Sequence, residues 1–154
     1  MRLLHDEPIA AHTTMRVGGP AARMVVVETP DELVDAVREV DDADAPLLVR
    51  GGGSNLVGAD AGFAGTVVKV ETRGLVVDSL DQCGGANVTV AAGEPWDDVV
   101  ARAVDEGWSG IEALSGIPGS CGATPVQNVG AYGQEVAPTT APDRVGDRLE
   151  GRAR

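Results

Sequence analysis

Cations are scarce in this sequence, and lysine nearly absent. Lys69 stands alone, and twelve Lys and Arg face 24 Asp and Glu, for a net charge of −12. So acidic a chain repels nucleic-acid phosphates and anionic membrane surfaces, which argues against both as partners. Aromatic residues make up 3%, too few for a base-stacking platform. The cysteines, Cys83 and Cys121, form no C-x-x-C and have no histidine pair nearby, so a zinc site is excluded and no metal is expected. No apolar run reaches membrane-spanning length, and Met1-Arg2-Leu3-Leu4-His5-Asp6 turns polar at once, unlike a signal peptide. The expectation is a soluble cytoplasmic protein with reduced thiols.

What is present suits a folded chain. The 154 residues, 43% of them hydrophobic, fit one domain or two small lobes. Arg23-Met-Val-Val-Val-Glu28 reads as a buried strand. Thr29-Pro30-Asp31-Glu32 is a capping-box pattern with proline at the first helical position. Leu33, Val34, Val37 and Val40 follow at helical spacing, which predicts a helix over 30–40, with Asp41–Ala45 a solvated break. Pro46–Arg50 is a second apolar strand, and strand–helix–strand with short joints predicts a parallel pair with a crossover. Further strands are expected at 65–71, 74–78 and 87–92, with 78–87 a linker or hairpin. A helix starting at Pro95 carries Trp96, Val99, Val100, Ala103 and Val104 on one face and stops at Gly107.

Two stretches suit ligand chemistry better than core packing. The first, Gly51-Gly52-Gly53-Ser54-Asn55, follows a strand. Its glycines admit positive φ, and successive amides in such a turn form a concave nest for an anion. It is neither a Rossmann fingerprint, since position 56 is leucine, nor a P-loop, since no Gly-Lys-Ser/Thr exists. The plain alternative is an ordinary glycine turn. The second stretch runs from Ser115 to Gly133 and holds Gly116, Gly119, Gly122, Gly130 and Gly133 with two prolines. It suits a backbone surface lying against a ligand; the alternative is a long structural loop, uncommon in a compact domain. With few cations available, a phosphorylated ligand has to be anchored mainly by backbone amides, and two such loops can grip a long bisphosphate.

The segments Gly51-Gly52-Gly53-Ser54-Asn55-Leu56-Val57 and Leu114-Ser115-Gly116-Ile117-Pro118-Gly119-Ser120-Cys121-Gly122-Ala123-Thr124-Pro125-Val126-Gln127-Asn128-Val129-Gly130-Ala131-Tyr132-Gly133 resemble the UDP-N-acetylenolpyruvoylglucosamine reductase family. The opening His12-Thr13-Thr14-Met15-Arg16-Val17-Gly18-Gly19-Pro20 is similar to that family's start, and the resemblance covers about residues 12–136. It implies an α+β fold, the two-lobed FAD-binding domain of the vanillyl-alcohol-oxidase type, with FAD as cofactor. Gly51, Gly52, Gly53, Ser54, Asn55 and Leu56 would cradle the pyrophosphate. Ser115, Gly116, Ile117, Pro118, Gly119, Ser120, Gly122, Ala123, Thr124, Asn128, Ala131 and Tyr132 would line the pyrophosphate and the flavin ring. The family's reaction takes hydride from NADPH to FAD and on to the enolpyruvyl double bond of a UDP-sugar, making UDP-N-acetylmuramate for peptidoglycan; the cofactor supplies the hydride chemistry.

The resemblance also implies a division into a first lobe over 1–78, a partial second lobe over 79–136 and a tail over 137–154. The likeness stops near Val136, so the chain reads as a C-terminally truncated family member. The family's catalytic arginine, serine and glutamate have no match here; Arg144 and Arg148 lack their surroundings, so no catalytic residue is assigned. The tail has no apolar period, carries a local net charge of +1 and is expected to be disordered. Two other readings fit the same residues: a further FAD-linked oxidoreductase of this fold, and a non-catalytic nucleotide-binding fragment. His5 and His12 read as surface or turn residues, Trp96 and Trp108 as packing residues and Cys121 as a small buried hydrophobe. Tyr132 either touches the cofactor or anchors its loop.

Overall fold

The structure, a computed structural model, describes residues 1–81, 85–141, 146–147 and 152–153. Its main part divides into two compact units, Met1–Thr72 and Arg73–Ala141. Mixed strand and helix content makes the fold α+β, as expected.

In the first unit, β1 (Arg2–Pro8) pairs antiparallel with β2 (Pro20–Val27). Helix α1 (Pro30–Asp42) leads to β3 (Leu47–Arg50), and β4 (Phe63–Val70) completes a sheet of order β1-β2-β4-β3. The sequence-derived crossover joins β2 and β3, which are parallel but not adjacent. Strand β4 lies between them, parallel to both. That insertion explains the burial of Met24 to Val27 on both faces, the mark of an interior strand. Below one face Ile9, Ala21, Met24 and Val67 form a core, and on the other Val25, Val27, Ala36 and Val68 pack with α1. The helix begins as its sequence requires. Pro30 occupies the first turn, and the Thr29 hydroxyl accepts from the Glu32 amide at 3.2 Å. The Glu32 carboxylate accepts in turn from the Glu28 amide at 2.8 Å, and that bond is the main reason its pKa lies below the ordinary carboxylate value. Strand β1 leaves little mark in the sequence, because its alternation is weak and mostly exposed.

In the second unit, β5 (Leu75–Asp81) and β6 (Gly85–Val90) form an antiparallel hairpin. The stretch read as a linker or hairpin contributes residues to both of its strands, and the two units divide between Thr72 and Arg73. Helix α2 (Trp96–Asp105) closes in a Schellman motif. Gly107, at φ +73°, bonds the Val104 carbonyl, and the Trp108 amide bonds the Ala103 carbonyl at 2.7 Å. Trp96, Val100, Leu114 and Val136 form this unit's core, and the Trp96 indole N–H donates to the Leu114 carbonyl at 3.1 Å. Trp108 is only half-buried.

Part of the segment expected as a disordered tail is ordered. Ala137–Thr139 make one 3-10 turn, and the hydroxyls of Thr139 and Thr140 both donate to the Val136 carbonyl. Gly146–Asp147 pairs with Arg152–Ala153. The rest of that expectation lies outside the described residues, as does Cys83.

Deleting a fully buried side chain from the sheet should cost far more than trimming an exposed one. Met24→Ala is expected to lose about 2–5 kcal/mol in urea unfolding, whereas Val57→Ala should stay within about 0.5 kcal/mol.

Candidate functional site

Each glycine-rich stretch is built within its own unit. The Gly51–Asn55 turn leaves the carboxyl end of β3, where parallel strands present ligand sites. Gly53 sits at φ +80°, and a side chain there would put its Cβ 2.1 Å from the His12 carbonyl oxygen. Both facts admit only glycine. The Gly53 carbonyl accepts from the Thr14 amide at 3.2 Å, so the turns at 12–14 and 51–53 are stitched together. His12 belongs to this joint. Its ring lies 2.8 Å from a Glu7 carboxylate oxygen, which makes it a partnered turn residue. Among the described residues, the amides of Gly52 and Gly53 donate no hydrogen bond. Gly52 and Asn55 are exposed; Gly51, Gly53, Ser54 and Leu56 are half-buried, with Leu56 packing on the core below.

The second stretch is a folded loop with most of its polar groups already committed. Asp97, in the first turn of α2, accepts from the Gly116 amide at 2.7 Å and from the Ser115 hydroxyl at 3.1 Å. The Trp96 amide donates to the Gly119 carbonyl, the Cys121 amide to the Glu94 carbonyl and the Gly122 amide to the Ala92 carbonyl. Cys121 packs against the core, as a small hydrophobe does. The Ala123 amide bonds Ser120, and the buried Thr124 hydroxyl donates to the Cys121 carbonyl at 2.7 Å. Helix α3 (Thr124–Gln127) ends at Asn128, left-handed at φ 43°, whose side-chain amide donates to Glu135 at 3.0 Å. Strands β7 (Gly130–Ala131) and β8 (Gln134–Glu135) then meet across Tyr132 and Gly133, at φ 52° and 83°, the two positive values a type I′ turn needs. Tyr132 is almost fully exposed at that tip, so it does not anchor the loop by packing. The amides of Gly119 and Ser120 donate no hydrogen bond among the described residues, while Ile117 and Pro118 lie beside them outside any helix or strand.

Residues 21–143 match the model of a family described as the FAD binding domain. The chain belongs to that family. It is 57% identical over 136 residues to the UDP-N-acetylenolpyruvoylglucosamine reductase of Streptomyces avermitilis, covering 88% of this chain and 36% of that protein. To the reductase of the same name from Thermobifida fusca it is 55% identical over 147 residues, 96% of this chain and 41% of that protein. The crystal structure of UDP-N-acetylenolpyruvylglucosamine reductase from Thermus caldophilus superposes with a TM-score of 0.65 at 30% identity, over 88% of this chain and 45% of that one. The chain thus spans about two-fifths of the length of the curated relatives it matches.

The residues of this FAD-binding domain fit its cofactor. Open amides lie beside a main-chain approach that only glycine permits, the cradle an oxygen-rich diphosphate needs. Among the described residues no group of acids, histidines and cysteines could hold a metal ion, and no helix is long and apolar enough to cross a membrane. Sequence reasoning misses two groups that shape the loops. Asp97 is legible only as a helix-start acid. Arg50 reads as the last residue of an apolar strand, yet it is 6% exposed and lies directly before the glycine turn. A cation closing Leu47-Leu48-Val49 is the one signal the sequence offers for it.

Alanine at two of these glycines should separate strain from collision. Gly116 has φ +78°, with nothing within 4 Å of where a methyl group would stand. Gly116→Ala is expected to cost about 1–2 kcal/mol. Gly53→Ala adds a backbone clash to the same strain and should lower the melting midpoint clearly further.

Proposed function

We propose that this chain is the FAD-binding part of a cytoplasmic, NADPH-dependent reductase that converts UDP-N-acetylenolpyruvoylglucosamine to UDP-N-acetylmuramate in peptidoglycan synthesis. The observation that carries the reading is the pair of open amides at Gly52 and Gly53, beside a contact between chain segments that excludes any side chain. The identity to reductases of that name supports the substrate and its reduction.

In this reading, Gly51, Gly52, Gly53, Ser54 and Asn55 take the diphosphate, with Leu56 fixing the turn to the core. In the second unit, Gly119 and Ser120 are the amides of the loop that donate no hydrogen bond among the described residues. Asp97 and the carbonyls of Ala92 and Glu94 hold the second loop in shape, so its amides need no reorganisation when the ligand arrives. Charge-assisted bonds of this kind contribute roughly 1.5–3 kcal/mol each. An acidic chain thereby holds a dianion through dipoles rather than through a cluster of lysines. Bound FAD supplies the hydride chemistry, and the protein supplies position and electrostatics.

The purified chain mixed with FAD and passed through gel filtration is expected to elute yellow, with a flavin absorption band at near-equimolar amount. Colourless protein that takes up no added FAD would refute the reading for this chain. Gly53→Ala should release the flavin.

A further inference from the structure

Arg50 is 6% exposed, so the residue has been taken almost wholly out of water. Its Nη2 donates to the His12 carbonyl at 2.9 Å and lies 3.0 Å from where a side chain on Gly53 would begin. Its Nε and Nη1 are buried and have no hydrogen-bond partner among the described residues. Burial lowers its pKa from the ordinary value and the charge of Glu71 raises it, but an arginine stays cationic throughout. Glu71 is engaged in an ion pair with Lys69, and Glu7 with the His12 ring. A buried charge with two open N–H groups is costly, and a well-packed apolar residue of similar volume would ordinarily serve the fold as well or better. Such a residue has a place where its charge has a use, and this one lies against the glycine turn.

We propose that Arg50 is a positioning residue for the anionic part of the ligand: it puts a fixed positive charge behind the Gly51–Asn55 amides, which makes that turn select a dianionic diphosphate. This rests on the FAD reading above, but it concerns the charge behind the turn and not the amides themselves. The guanidinium is too enclosed to replace the amides as the contact surface. It acts through them, in a water-poor setting where the attraction of opposite charges is screened little.

The test compares the full chain with Arg50→Met and Arg50→Lys, using FAD and inorganic pyrophosphate as separate probes. Binding is read by quenching of flavin fluorescence and by competition with pyrophosphate, and folding by the melting midpoint without ligand. Arg50→Met is expected to lose at least about tenfold in affinity for both probes, the loss of one charge-assisted interaction. Its ligand-free melting midpoint should be unchanged or raised. Arg50→Lys, which keeps the charge, should recover most of the affinity. If the wild-type chain binds FAD and Arg50→Met binds it equally well, the role of Arg50 is overturned and the FAD reading stands. Binding of pyrophosphate but not FAD, lost in Arg50→Met, would keep Arg50 and remove the FAD reading. Binding of neither probe by the wild-type chain would overturn both. An Arg50→Met chain that no longer folds, or an Arg50→Lys chain as weak as Arg50→Met, would show the residue to be a structural clamp whose charge is irrelevant, and would overturn the proposal.

Discussion

The approach of the His12 carbonyl to the α-carbon of Gly53 is the constraint on which the account depends. No side chain fits between them. The contact fixes the path of the 51–55 turn and leaves the amides of Gly52 and Gly53 without hydrogen-bond partners among the described residues. A chain with a net charge of −12 and one lysine has little else to offer a diphosphate. Main-chain donors are the economical solution, because each is held by covalent geometry and requires no flexible cation to be ordered.

The second unit reaches a similar result by different means. Its loop is held by partners from the helix start and from the strand end: the Asp97 carboxylate on Gly116, and the Glu94 and Ala92 carbonyls on Cys121 and Gly122. Much of the glycine in Ser115–Gly133 therefore serves the loop's own architecture. The residues that stay open are few, with Gly119 and Ser120 among them. Composition alone does not separate the two uses, since a glycine needed for a left-handed turn and one needed for close approach look identical in sequence.

That distinction marks how far the sequence is legible. The helices at 30–42 and 96–105 are readable from caps, spacing and the Gly107 stop, because those signals are local. The two glycine stretches are readable for the same reason. The placement of β4 between β2 and β3 is not, since pairing order depends on contacts between distant residues. Nor is the extent of the β5–β6 hairpin, whose strands are short, largely exposed and joined through polar residues that resemble a linker. Arg50 is hidden because a cation at the end of a strand is ordinarily exposed, and only the fold shows that the His12 turn covers it. The turn at 137–141 escapes sequence reasoning because its order comes from threonine hydroxyls on the Val136 carbonyl, bonds that leave no hydrophobic pattern.

Amide hydrogen exchange, resolved residue by residue and measured with and without FAD, probes the central claim most directly. The account predicts that FAD slows exchange at Gly52 and Gly53, while Gly116, Cys121 and Gly122, already bonded within the fold, keep their rates. Flavin binding that left the Gly52 and Gly53 amides unprotected would contradict it.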